Sequence, residues 1–410
     1  MAQGSSRLPP AQLAMVASRV LGVVGNWDAH REDSASAAAA ELGSQLAAVA
    51  GGGSGGELLR RGWAVLDGAL GRLAKDFAAE AEGLEAKRLL TRHSFEFAGE
   101  DGCRHAYEHE GRSFADLDCE RIRAEVRVAA PVLAAFAERH AYTFARRLAT
   151  ALPELALATE PGSVQVKLQL TRGVHGCAPC HYDTSDSAAS RQVTLLIYLN
   201  KGWSADFGGE LELIPFLEGA KNLEPSFDRA VLFLSDRVLH RSLPPRGLGL
   251  EHPRWLLTVW IDGLAVDRAA PGGQWGPLLQ RLLAPALYAE EYDQALRESL
   301  PPGDAQKALL AAQASEARSL EEDEELAEMI GDLRDILAER ALVRLASCCS
   351  PSPCDPVNDV SSVVVAATAA FREDRTRFVG RRSAQSRSRS RSRTAATGQR
   401  NDENVLARKK

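Results

Sequence analysis

The run Cys177-Ala-Pro-Cys-His-Tyr-Asp183 carries three chemistries at once. Cys-x-x-Cys-His is the spacing of covalent haem attachment. Cys-x-x-Cys alone serves redox or zinc sites. His181-Tyr-Asp183 offers an imidazole and a carboxylate two residues apart. On a strand, residues i and i+2 share a face, so His181 and Asp183 point together and Tyr182 points away. That pair is two thirds of the set of two histidines and one carboxylate that holds non-haem Fe(II) and leaves coordination positions open. The missing histidine must come from elsewhere in the fold.

Two histidines follow, His240 and His252. His240 sits just past an apolar strand in "LFLSDRVLHRSLPP", 59 residues after His181, which leaves room for several strands between them. His252, in "LEHPRW", reads as a loop residue beside a proline. The strand "RWLLTVWID" places Arg254, Leu256, Thr258 and Trp260 on one face by the same alternation. An arginine turned into a β interior needs an anion, because burying it unpaired is costly. Neighbouring strands offer no obvious carboxylate, so a dicarboxylate ligand gripped in bidentate fashion fits, with Tyr198 adding a hydroxyl. Metal ligands beside such an arginine point to an iron enzyme with an α-keto dicarboxylic acid as co-substrate. His105 and His109 are spaced like a helical ligand pair, but their segment lacks helical support and reads as loop.

The elements that must position these groups can be read from periodicity. Residues 1–56 are Ala/Gly/Ser-rich and end in "GGGSGG", a flexible-linker composition. "RLAKDFAAEAEGLEAKRLL" and "CERIRAEVRVAAPVLAAFAERHAYTFARRLATAL" read as helix, the second as one long helix. From about residue 163 the period becomes that of strands: "SVQVKLQLT", "RQVTLLIYLN", "GGELELIP", "RAVLFLS" and "RWLLTVWID". Helices followed by strands without interleaved helix predict a mainly β core of two sheets, with supporting N-terminal helices. Helix returns after about 270, with a second run from Asp304 to Leu345 whose apolar stripe includes Leu326, Ile330, Leu333, Leu337 and Leu345. "EEDEE" at 321–325 reads as a solvated helix face. The chain ends in low-complexity sequence containing "SRSRSRSR", expected to be disordered. These shifts divide the chain into a flexible segment 1–56, a catalytic domain 57–266, a helical region 267–347 and a tail 348–410.

Together, "HYD", "RQVTLLIYLNKGWSADFGGELELIPF", "FDRAVLFLSDRVLHRSLPP" and "RWLLTVWIDG" resemble the Fe(II)/2-oxoglutarate dioxygenases of the prolyl 4-hydroxylase type, especially the hypoxia-inducible-factor prolyl hydroxylases. The likeness covers about 58–265 and is strongest over 164–263. It implies a double-stranded β-helix, or jelly roll. It implies that His181, Asp183 and His240 ligate Fe(II), that Arg254 clamps the distal carboxylate of 2-oxoglutarate beside Tyr198, and that Thr258 and Trp260 line the pocket. The activity implied is 4-hydroxylation of peptidyl proline, with O2 as co-substrate, decarboxylation of 2-oxoglutarate to succinate and CO2, and ascorbate keeping the iron reduced. In the family a tyrosine commonly precedes the His-x-Asp motif where this chain has Thr171, and the stretch from His240 to Arg254 is a few residues longer than usual.

Against this reading, haem would leave Asp183, His240 and Arg254 without a purpose, and zinc lacks a second Cys-x-x-Cys. The remaining rivals are the same chemistry on lysine, a nucleic-acid base or a small metabolite, and a non-catalytic adaptor. Among 410 residues the formal net charge is −6, which gives the core no general attraction to nucleic acid. The Arg/Ser run is a candidate address to RNA-processing partners. Seven cysteines without framework spacing fit a reduced compartment, cytoplasm or nucleus. No stretch reaches the ~20 apolar residues that cross a bilayer. Residues 1–27 have the composition of an organellar transit peptide but no secretory cleavage pattern.

Overall fold

A computed structural model describes residues 57–99, 101–118, 120–160, 162–184, 190–264 and 276–348. The 1–56 segment and the Arg/Ser tail lie outside the described residues. Among the described residues, eleven strands form two antiparallel sheets. The larger has the order β1(Trp63–Asp67), β9(Arg229–Leu234), β6(Arg191–Tyr198), β11(Arg254–Asp262), β4(Val164–Thr171), β3(Arg104–Asp116), β2(Thr91–Ala98). The smaller has the order β5(Ala178–His181), β10(Val238–Ser242), β7(Leu211–Pro215), β8(Lys221–Leu223). This is the jelly roll expected from the sequence. Its five anticipated strands are β4, β6, β7, β9 and β11.

The large sheet has two different faces, because β4 alternates. Val164, Val166, Leu168 and Leu170 are buried with Leu257, Val259 and Ile261 of β11 and Phe77, Phe136, Phe144 and Leu148 of the N-terminal helices. Gln165, Lys167, Gln169 and Thr171 therefore fall on the other face, which looks toward the small sheet. The helices behind the sheet are α1(Glu57–Arg61), α2(Leu73–Ala86), α3(Ala124–Ala129), α4(Pro131–Ala135) and α5(Ala141–Ala151). The single long helix expected across this last region is broken. Pro131 bars its predecessor from helical geometry, and Ala130 sits at φ −135°, ψ 64°. A π-helical turn at Phe136–His140 then leads into α5.

The N-terminal part also contributes strands that periodicity did not reveal. β1 caps one edge of the large sheet, and the β2–β3 hairpin forms the other. His105 and His109 lie on β3, a strand rather than a loop. They serve separate partners: His105 meets Asp101 at 3.1 Å, and His109 donates to the Ser299 carbonyl at 2.7 Å.

After the sheets come α6(Pro277–Leu287), α7(Ala289–Ser299), α8(Asp304–Glu321) and α9(Glu324–Cys348). The expected stripe is buried at Leu326, Ile330 and Leu333. "EEDEE" is not one helix face, however. It spans the junction of α8 and α9, where the Asp323 carboxylate accepts from the backbone amides of Glu325 and Leu326, both at 3.2 Å. Aspartate at a helix start satisfies amides that have no partner within the helix. α7 packs on β5 and so backs the strand that carries His181. Among the described residues, no helix is long and apolar enough to cross a membrane.

Candidate metal centre and cavity

β5 and β10 pair so that His181 lies directly opposite His240. Their rings are 4.3 Å apart between centroids. Asp183 follows β5 by two residues, and the alternation read from the sequence holds beyond the strand end. Asp183 turns toward the histidines, while Tyr182 faces Tyr288 and Tyr292 of the C-terminal helices, where burial raises its pKa. His181 Nε2 lies 3.5 Å from one Asp183 oxygen, and His240 Nε2 lies 3.9 Å from the other. One ligand atom from each of the three residues falls within 4.8 Å of the others. Among the described residues no other group of His, Cys, Asp and Glu gathers in this way.

The outer hydrogen bonds fix how these groups present themselves. His181 Nδ1 is 2.8 Å from the Pro179 carbonyl, and His240 Nδ1 is 3.2 Å from that of Val238. A carbonyl can only accept, so each Nδ1 carries the proton and each Nε2 turns a lone pair toward Asp183. Burial, then the neighbouring His181, lowers the His240 pKa to about 4. Burial alone would raise the Asp183 pKa. The nearby His240 and His181 and a 2.6 Å hydrogen bond donated by Thr194 outweigh it and hold the carboxyl well below its ordinary range. Two neutral imidazoles and one carboxylate, with lone pairs converging, are the donor set of a divalent metal site with open positions.

The centre opens into a cavity of about 350 Å³ between the sheets. Arg254, Leu256, Thr258 and Trp260 all line it, as strand alternation requires. The Thr258 hydroxyl accepts from Gln169 at 2.8 Å. The guanidinium of Arg191 stacks 4.3 Å from the Trp260 ring. Tyr198 is opposite Leu256 and fully buried, with its hydroxyl 3.4 Å from an Arg254 nitrogen. Arg254 Nε and Thr171 Oγ1 are buried without hydrogen-bond partners. Gly209, at φ 77°, lets the Arg254 stem pass close, because a Cβ there would stand 3.2 Å from Arg254 Cδ. His252 lies away from the centre against Phe207. Cys177 and Cys180 are free and buried, and burial pushes both thiols up to about 12.

Comparison with known proteins agrees with this geometry. Residues 168–262 match the 2OG-Fe(II) oxygenase superfamily. A solved prolyl 4-hydroxylase from Phytophthora capsici is similar at 28% identity and a TM-score of 0.58, over 73% of this chain and 95% of that one. Residues 168–262 form a 2OG-Fe(II) oxygenase domain, and the fold is similar to that of a prolyl 4-hydroxylase. Further similar structures are a Pseudomonas putida prolyl-4-hydroxylase (23% identity, TM-score 0.40, 54% of this chain and all of that one) and a Trichoplax adhaerens prolyl hydroxylase solved with a hypoxia-inducible-factor peptide fragment (17%, 0.41, 54% and 90%). No curated protein matches the chain. A domain of this superfamily implies Fe(II), 2-oxoglutarate and O2.

Several cavity residues escaped the sequence reading: Arg112 and His93 from the hairpin, Lys167 and Gln169 from β4, and Arg191 from β6; so did Thr194 of β6, which holds Asp183 from behind. For β4 a signal existed. Its polar alternate positions had to face something, and the cavity is what they face.

Proposed function

We propose that this oxygenase hydroxylates a prolyl residue of a peptide or protein at C4, with His181, Asp183 and His240 as the iron ligands. The observation that carries the ligand assignment is the convergence of two Nε2 lone pairs on the Asp183 carboxylate within one coordination sphere. Fe(II) held there, with O2, supplies hydroxylation coupled to decarboxylation of 2-oxoglutarate to succinate and CO2.

The chain's own residues do the positioning. The Pro179 and Val238 carbonyls hold the imidazole tautomers. Thr194 orients the carboxylate. Arg254 takes the distal carboxylate of 2-oxoglutarate, which satisfies its orphaned Nε and completes the contact with Tyr198. Thr258 and Trp260 form part of the cavity wall beside Arg254. The division into a catalytic domain 57–266 and a helical region 267–347 belongs to the same proposal. Support for proline comes from the likeness to the Phytophthora enzyme, which extends over nearly all of that chain.

The test is incubation of the full chain with Fe(II), 2-oxoglutarate, ascorbate and O2 against a library of proline-containing peptides. Succinate release and a product heavier by ~16 Da, one oxygen atom, are followed together. Oxygen insertion at proline that is absent from His181→Ala supports the reading. Insertion only at lysine, or only into a nucleobase, replaces the substrate, and turnover undiminished in His181→Ala removes the ligand assignment.

A further inference from the structure

Arg112 of β3 and Arg254 of β11 flank one residue. Thr171 on β4 pairs with Arg112 on one side and with Arg254 on the other. Laterally paired residues share a face of the sheet, and all three line the cavity.

The other cations of this wall already have company. Lys167 lies 3.5 Å from Asp116 and 4.4 Å from the Phe114 ring. Arg191 donates to Gln165 at 2.9 Å and to the Asp183 carbonyl at 3.3 Å. The Arg112 side chain has no hydrogen bond or ion pair among the described residues. Its titratable neighbours include Cys177, a thiol that burial keeps neutral, and Arg254, which repels it. Burial, then this repulsion, lowers the Arg112 pKa. Beside it, burial and the Arg112 charge lower the His93 pKa to about 4, and His93 Nδ1 has no partner. An unpaired guanidinium drawn out of water is costly, and a bound anion relieves that cost.

2-Oxoglutarate does not supply the anion on the reading proposed above. It has two carboxylates, one directed to the metal and one to Arg254. We propose that Arg112 and Thr171 form a second anion subsite, which takes a carboxylate side chain of the peptide substrate near the target proline. The inference rests on the proposed function and narrows its substrate class to acidic prolyl peptides. Thr171 supplies a hydroxyl donor, and the Arg112 fork supplies bidentate geometry.

The test uses fluorescein-labelled peptides with one proline and a single Glu placed at successive positions around it. A Gln series is matched to the Glu series. Binding to the full chain with Mn(II) and 2-oxoglutarate is read by anisotropy. The best Glu peptide is expected to bind about ten- to a hundredfold more tightly than its Gln twin, as a charge-assisted pair would give. Arg112→Gln should erase that ratio, and Arg112→Lys should keep part of it. If thermal unfolding shows that Arg112→Gln does not fold, Thr171→Val carries the test and should weaken the Glu peptide selectively. Equal binding of Glu and Gln peptides overturns the inference. So does a ratio that survives Arg112→Gln, or a KM for 2-oxoglutarate that rises as far as in Arg254→Gln. The last result would make Arg112 part of the co-substrate clamp. Glu-dependent binding that needs Arg112 but no proline, with no oxygen inserted into any prolyl peptide, leaves the subsite standing and removes the proline reading instead.

Discussion

Thr194 Oγ1 lies 2.6 Å from Asp183 Oδ2, and the same hydroxyl is 2.8 Å from Ser235 Oγ. β6 and the turn after β9 thereby hold the only carboxylate of the candidate centre in one orientation. Residues in this position commonly govern metal affinity by about ten- to a hundredfold when removed. Thr194→Val should weaken metal binding by that order, read as the Kd for Mn(II) by paramagnetic titration. Thr194→Ser should restore most of the affinity. If Thr194→Val lowers thermal stability but leaves the Mn(II) Kd where it was, Thr194 is a packing residue only.

Metal binding should also register in stability. A ligand that binds only the folded state stabilises by mass action, roughly 2.7 kcal/mol at a hundredfold excess over Kd. Mn(II) should therefore raise the unfolding temperature of the native chain, and a chelator should reverse the rise. His181→Ala and Asp183→Ala should abolish the shift while still melting cooperatively. A shift of native size in either variant would mean that the metal binds elsewhere.

Arg254 offers a buried Nε with no protein partner, while its Nη2 donates to the Tyr198 hydroxyl at 3.4 Å. Arg254→Gln should raise the KM for 2-oxoglutarate by about ten- to a hundredfold, the scale of a lost charge-assisted interaction. Tyr198→Phe, at the long end of hydrogen-bond distance, should raise it less. Succinate release at graded 2-oxoglutarate concentrations measures both. The opposite order would move the clamp from the arginine to the tyrosine.

What could be read in the sequence follows from which positions obey a period. Strand alternation alone puts Arg254, Leu256, Thr258 and Trp260 on one cavity wall, and the coordinates agree. His181 and Asp183 share a side for the same reason. Pairing is a different matter. That His240 should stand opposite His181 depends on the register of β5 with β10, which no local pattern encodes. The hairpin bearing Arg112 was missed because the alternation in "TRHSFEFAGEDGCRHAYEHEGRSFAD" is faint: Phe95, Phe97 and Tyr107 stay only half-buried, between polar neighbours. An edge ribbon that half-buries one face gives only a weak period. The long helix expected over 119–152 failed at Pro131, where a local rule outranked the amphipathic pattern.

The two cysteines that opened the question of haem, zinc or redox chemistry are buried, and both thiols are pushed up to about 12. The thiolate is the reactive form, so at pH 8 nearly all of each thiol is protonated and shut from solvent. Short exposure of native protein to maleimide at pH 8 should label the exposed Cys103 and leave Cys177 and Cys180 unmodified. Peptide mapping by mass spectrometry reads the result. Fast labelling of Cys177 or Cys180 would revive a redox role.

The C-terminal helices should prove inseparable from the β core. Arg241, next to His240, is buried between Glu212 and Glu298, the latter on α7 at 3.1 Å. His175 donates to the Glu298 carbonyl at 2.8 Å, and His109 to that of Ser299 at 2.7 Å, so two core histidines cap the end of α7. A chain ending at residue 264 would uncover Cys180 and Tyr182 and leave Arg241 with one partner. It should aggregate, or lose the Mn(II)-dependent rise in unfolding temperature. The milder Glu298→Ala should cost about 1–3 kcal/mol in urea unfolding, the penalty for stripping a partner from a buried charged group. A truncated chain that stays monomeric by gel filtration and binds Mn(II) with native affinity would make the β core an independent unit.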